Sequence, residues 1–226
     1  IAAAIDKYVY ITLQQTFDRS LILRYSKMER PETIDQISHP IIREAFRMID
    51  LPNHYLEVTS MADIPAGTGL GSSGSFTTGL LKALHAYNHH TIRPQELAEQ
   101  ACAIEIEKLK EPVGKQDQYI AAFGGVTCFE FLPGGKVTAY PLKISKEILY
   151  NLEDNLVLFF TGFSRKASSL LHDQDTKSKN KDSEMIQNLH YVKELGLRTQ
   201  KILEAGNLDE FGKILDEHWQ HKRRRS

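Results

Sequence analysis

Residues 65–79 read PAGTGLGSSGSFTTG. Gly67, Gly69, Gly71 and Gly74 are interleaved there with small polar residues, and apolar side chains at helical spacing follow. A glycine inside a regular element costs about 0.5–1 kcal/mol relative to alanine. A cluster of them therefore marks a place where main-chain N–H groups come close to something. Phe76, Leu80, Leu81, Leu84 and Tyr87 share one helical face, which predicts a helix to about Asn88. The passage from loop to helix falls at Ser72 and Ser73. The first four N–H groups of a helix lack intrahelical partners, and the macrodipole places about half a positive charge there. A phosphate suits such a start, and serine hydroxyls can add hydrogen bonds or ligate a metal. A plain N-cap would need one serine and no glycines.

The rest of the chain predicts an α+β fold in two parts. IDKYVYITLQ (5–14) alternates, with Ile5, Val9, Ile11 and Leu13 on one face, and reads as a strand. LILRY (21–25) and YLEVTS (55–60) read as further strands, with a short helix over 39–49 between them. Pro94 opens a helix expected to run through Leu109. GGVTCFEF (124–131) and KVTAYPL (136–142) predict a hairpin. NLVLFFTG (155–162) is a continuous apolar run, expected to be a buried strand. Polar residues 173–184 predict a loop, and two helices follow, over 185–201 and from 207 on. A domain boundary is expected near residue 150.

Composition excludes some classes of partner. Of 226 residues, 28 are basic and 29 acidic, for a net charge of −1, so neither nucleic acid nor an acidic membrane is the expected partner. Cys102 and Cys128 make neither a disulfide framework nor a zinc site. With no secretory signal and no apolar run near the ~20 residues of a membrane span, a soluble cytoplasmic protein is expected. His89-His90 and the His218, His221 pair lack nearby cysteines or a third ligand, and are not expected to bind metal. The oligomeric state stays open, a homodimer included.

The glycine loop is not a Walker loop, because no lysine follows its glycines. Nor is it a Rossmann fingerprint, because the third glycine and the later acidic residue are absent. The string resembles the second signature of the galactokinase, homoserine kinase, mevalonate kinase and phosphomevalonate kinase (GHMP) superfamily, usually P-x-x-x-G-L-G-S-S-A-A. Here Gly74 and Ser75 replace the two alanines. The resemblance implies that Pro65, Gly67, Gly69, Leu70, Gly71, Ser72 and Ser73 wrap the phosphates of ATP, with Ser72 on Mg2+.

A kinase also needs a carboxylate to receive or orient the attacking hydroxyl. Asp117, in PVGKQDQYIAAFGG (112–125), is the candidate; by spacing alone it could equally be a solvated aspartate in a capping turn. The resemblance implies that it is catalytic, and that a glutamate about ten residues earlier binds the metal. Glu107 is the first choice and Glu105 the second. The chain is most similar to the heptose 7-phosphate kinase branch, which phosphorylates the anomeric oxygen of D-glycero-D-manno-heptose 7-phosphate on the way to GDP-heptose. Lys115, Arg165 and Lys166 are the expected contacts to the sugar phosphate, and Lys222 to Arg225 either face it too or merely end a helix. Another sugar, such as fucose or galactose, and a nucleotide-binding pseudokinase are the alternatives. Against the family pattern, the first strand and the first and third glycine-rich signatures are not found, so a chain truncated at both ends is expected.

Overall fold

The computed structural model describes residues 1–162, 176, 178, 180 and 182–223. Backbone contacts gather these into two compact units that divide at Gly124 and Gly125, earlier than the expected boundary near residue 150.

The first unit, Ala4–Gly124, is built on a four-stranded sheet. Strand β2 (Val9–Gln15) runs antiparallel to β5 (Leu56–Ala62), with Leu13 opposite Val58. On its other side β5 pairs in parallel with β3 (Ile22–Arg24), which is antiparallel to β4 (Met28–Glu29). Alternation along β2 sends Ile11 and Leu13 towards the core and leaves Tyr10, Thr12 and Gln14 exposed. Four helical stretches complete the unit. They are α1 (Pro40–Met48), α2 (Ser72–Tyr87), α3 (Pro94–Cys102) with its π-helical continuation Ala103–Lys108, and α4 (Gln116–Phe123). Leu80, Leu81 and Leu84 of α2 are fully buried with Leu23, Phe46, Leu56 and Ile104. That burial fixes the roll of α2, and so the direction in which its first turn faces.

The second unit holds β1 (Ala2–Ala3) and the hairpin of β6 (Val126–Phe131) and β7 (Val137–Pro141), in the order β1-β6-β7. The hairpin turn uses Gly134 and Gly135, both at φ 82°, where a side chain would be strained. Helices α5 (Lys146–Asp154), α6 (Ser183–Glu204) and α7 (Leu208–Arg223) follow. Leu142, Leu152 and Leu203 pack together, with Val126 and Ile1 against them.

One expectation is overturned here. Residues 156–160, LVLFF, form no strand and are exposed, Phe159 at 81%. An apolar run becomes a buried strand only where a neighbouring strand pairs its N–H and C=O groups, and among the described residues none does. Helices α4 and α5 were not foreseen. Among the described residues no helix is long and apolar enough to cross a membrane.

Candidate active site

Loop 65–71 runs from the end of β5 into α2. Gly67, Gly69 and Gly71 adopt φ values of 80°, 79° and 70°, in the left-handed region open to glycine. Gly71 is the N-cap and has no side chain to bond the first N–H groups. The helix start is thus left uncapped, as an incoming anion requires. Ser72 is half-buried, and among the described residues its hydroxyl bonds no protein group.

The start of α4 lies directly against this turn. A Cβ placed on Gly71 would stand 3.1 Å from Asp117 Cγ and 3.4 Å from Oδ2. One placed on Gly74 would stand 3.0 Å from the Asp117 main-chain carbon, the Asp117 Cβ and the Gln118 nitrogen. The start of α4 thus lies close against Gly74 of α2, and a methyl group there would require α4 to give by a few tenths of an ångström. Asp117 lies in the first turn of α4, so two helix N-termini and their positive dipole ends meet where its carboxyl sits. One side of that carboxyl stays open to solvent, while its packing against the loop raises its pKa by desolvation.

Beneath the turn lies a buried carboxylate. Glu105, 2% exposed, accepts a hydrogen bond from Ser73 Oγ at 2.7 Å on Oε2 and from Gln118 Nε2 at 3.0 Å on Oε1. Gln118 is itself 1% exposed, and among the described residues its Oε1 has no partner. Among the described residues this buried carboxylate is held by neutral donors alone, and so is short of a counter-charge. With a serine hydroxyl beside it, it supplies the oxygen donors a hard cation takes. Glu107 is exposed and is not among the groups brought to Ser73. Lys115 is half-buried immediately before α4, two positions from Asp117. Arg165 and Lys166 lie outside the described residues, as do Arg224 and Arg225 of the terminal basic run.

The choice between the two glutamates was open to a reading of phase. Leu97, Ala98, Ala101 and Cys102 form the buried stripe of α3. Read from the sequence as one continuous α-helix, at 100° per residue, Glu105 falls two turns after Ala98 and Glu107 about half a turn further round; in the structure both lie in the π-helical stretch. A glutamate continuing an apolar stripe is the signal. The role of Gln118 carried no such mark, since its burial depends on a helix that was not foreseen.

Residues 40–125 match the family described as GHMP kinases N terminal domain, a stretch that includes the glycine loop, Glu105 and Asp117. The chain is 32% identical over 162 residues to a D-glycero-alpha-D-manno-heptose 7-phosphate kinase of Campylobacter jejuni, a match covering 72% of this chain and 47% of that protein. It thus spans about half the length of that relative. A galactokinase of Pyrococcus furiosus is 24% identical, over 96% of this chain and 69% of its own. Among solved structures, a D-glycero-D-manno-heptose 1-phosphate kinase from Bacteroides thetaiotaomicron superposes with a TM-score of 0.80 at 28% identity, covering 98% of this chain and 69% of its own. The glycine loop and the aspartate against it both fall within residues 40–125, and over that stretch the chain is similar to the N-terminal domain of the GHMP kinases.

Proposed function

We propose that this chain serves an ATP-dependent sugar-phosphate kinase. It transfers the γ-phosphoryl group to the anomeric hydroxyl of D-glycero-D-manno-heptose 7-phosphate, giving the 1,7-bisphosphate for GDP-heptose synthesis. The observation that carries the reading is the contact of Asp117 with Gly71 and Gly74, which sets a desolvated carboxylate beside an uncapped helix start. Residues 65–73 bind the triphosphate through main-chain N–H groups, with Gly71 leaving the first turn of α2 free for it. Asp117 accepts the proton of the attacking hydroxyl, or orients it, as phosphoryl transfer requires. Phosphoryl transfer depends on positioning and charge more than on covalent chemistry, and both helix starts supply positive potential there.

The donor types suit magnesium: Ser72, whose hydroxyl bonds no protein group among the described residues, and Glu105, bonded to the adjacent Ser73, would hold it. Glu105 is put ahead of Glu107 in this role because Ser73 of the serine turn bonds it, whereas Glu107 is exposed. A magnesium ion held there would screen the negative charge of the phosphates during transfer. The sugar assignment rests on relatives whose names include heptose phosphates, and Lys115 is the described cation that would meet the sugar's phosphate. ADP release by the protein with heptose 7-phosphate, galactose and fucose in parallel tests the reading. Turnover only with the phosphorylated heptose is expected, and turnover of a neutral sugar alone would overturn the substrate.

A further inference from the structure

A cavity of about 650 Å³ opens in the 4–124 unit at the other end of the sheet from the glycine loop. Tyr55, in its wall, directly precedes β5, and the glycine loop follows the far end of that strand. A seven-residue strand spans on the order of 20 Å, so the two places are distinct. The volume lies within the range of small-molecule sites.

Arg19 and Arg30 line this cavity together with Glu32, Thr33, Asn53 and Tyr55. Elsewhere in the same unit Arg24, Arg43 and Arg47 each find a carboxylate. Among the described residues Arg19 and Arg30 have no hydrogen bond or ion pair. Hydrogen bonds from Ser20 to Asp18 and from Arg24 and Gln14 to Glu57 hold these carboxyls below their usual pKa, and the charge of Arg30 adds a lesser lowering at both. Both carboxylates are already engaged, by Ser20 Oγ at 2.7 Å and by Arg24 at 2.5 Å. Arg19 also holds a φ of 56°. That conformation is uncommon outside glycine and asparagine, and an arginine kept there at the tip of the β2–β3 turn points to use of its side chain.

We propose that this cavity binds a small molecule carrying a phosphomonoester, either a sugar phosphate or a nucleoside monophosphate. Two guanidinium groups without protein acceptors match the charge and the planar, bidentate hydrogen bonding of a phosphate dianion. Tyr55, 41% exposed, offers a ring face to the sugar or base, while Glu32 and Asn53 accept or donate to hydroxyls. Nothing in the proposal depends on the glycine loop.

The test is a titration of the 15N-labelled chain, read by amide chemical shifts, with inorganic phosphate, glucose 6-phosphate and AMP. Saturable shifts at Thr33, Asn53 and Tyr55 are expected with one or both organic phosphates, more tightly than with inorganic phosphate. Preference for glucose 6-phosphate assigns the sugar phosphate, and preference for AMP the nucleotide. Arg19→Ala and Arg30→Ala should each weaken binding about tenfold or more, the value of a charge-assisted hydrogen bond. Arg19→Gln and Arg30→Gln serve where an alanine variant fails to fold. The proposal is overturned if those amides do not shift, if dissociation constants exceed about 10 mM for both organic ligands, if inorganic phosphate binds as well as they do, or if binding survives loss of both arginines.

Discussion

Asp117 is asked to do two things that pull in opposite directions with pH. Desolvation against Gly71 and Gly74 raises its pKa above the ordinary aspartate value. A carboxylate must be ionised to accept a proton, so turnover should fall on the acid side around a midpoint above that of a free aspartate. Stability runs the other way. A folded-state pKa above the unfolded one contributes stability that is complete below the unfolded value and is lost as pH rises through the folded value. Asp117→Asn should therefore cut kcat by about 10²–10⁴, leave nucleotide affinity nearly intact, and raise the melting temperature at neutral pH. That thermal difference should fade below the pKa of a free aspartate. A variant that loses activity and also melts lower at neutral pH would mark Asp117 as a structural residue. The neighbouring carboxylate is tested separately. Glu105→Gln should weaken MgADP binding relative to ADP at least about tenfold, and Gln118→Leu by a similar factor through loss of its hydrogen bond to Glu105. Glu107→Gln should change neither, and calorimetry with and without magnesium reads all three. Asp117 stood out through the family resemblance alone, since its spacing also suits a capping turn; its contact with Gly71 and Gly74 is a matter of tertiary packing. Glu105 stands second by distance along the chain and on a different helical face from Glu107, and what brings it forward is its bond to Ser73, a tertiary contact.

The first turns of α2 and α4 fit each other through the absence of a side chain. Gly74→Ala places a methyl group 3.0 Å from main-chain atoms of Asp117 and Gln118, and backbone cannot swing aside as the end of a side chain can. The substitution should cost about 1–3 kcal/mol in urea denaturation, the usual range for overpacking. Activity should fall more than stability alone explains, because Asp117 is the group displaced. Gly196, whose added Cβ meets nothing within 4 Å, is the control: Gly196→Ala in α6 should be neutral or stabilising by up to about 1 kcal/mol. An unchanged stability in Gly74→Ala would refute the close approach. The glycine loop and α2 were readable because local chemistry determines them: left-handed turns demand glycine, and the leucines keep a 3.6-residue period. LVLFF at 156–160 was misread for the converse reason. Its composition specifies an apolar environment, but the pairing that makes a strand belongs to another segment, which no local pattern reveals.

A net charge of −1 and an ordinary hydrophobic fraction of 41% mark a globular chain, and the alternating and helical patterns along it mark an α+β one, but neither could say where one compact unit ends. The sequence suggested residue 150, after the hairpin; the contacts put the division at Gly124 and Gly125, so the hairpin joins the later helices. Tertiary packing decides this. Val126, at the base of the hairpin, rests against Leu142, Leu152 and Leu203, partners up to a helix hairpin away in sequence. The two divisions predict different cooperative units, and native-state hydrogen exchange distinguishes them. Leu203→Ala removes a side chain that is 2% exposed and should cost about 2–5 kcal/mol. Exchange should then accelerate in β6 and β7 along with α5 and α6, while β2, β5 and α2 keep their protection. Leu81→Ala, fully buried in the first unit, should loosen β2, β5 and α2 and spare the hairpin. If the hairpin instead follows Leu81→Ala, it belongs energetically with the glycine loop, and the boundary near residue 150 stands after all.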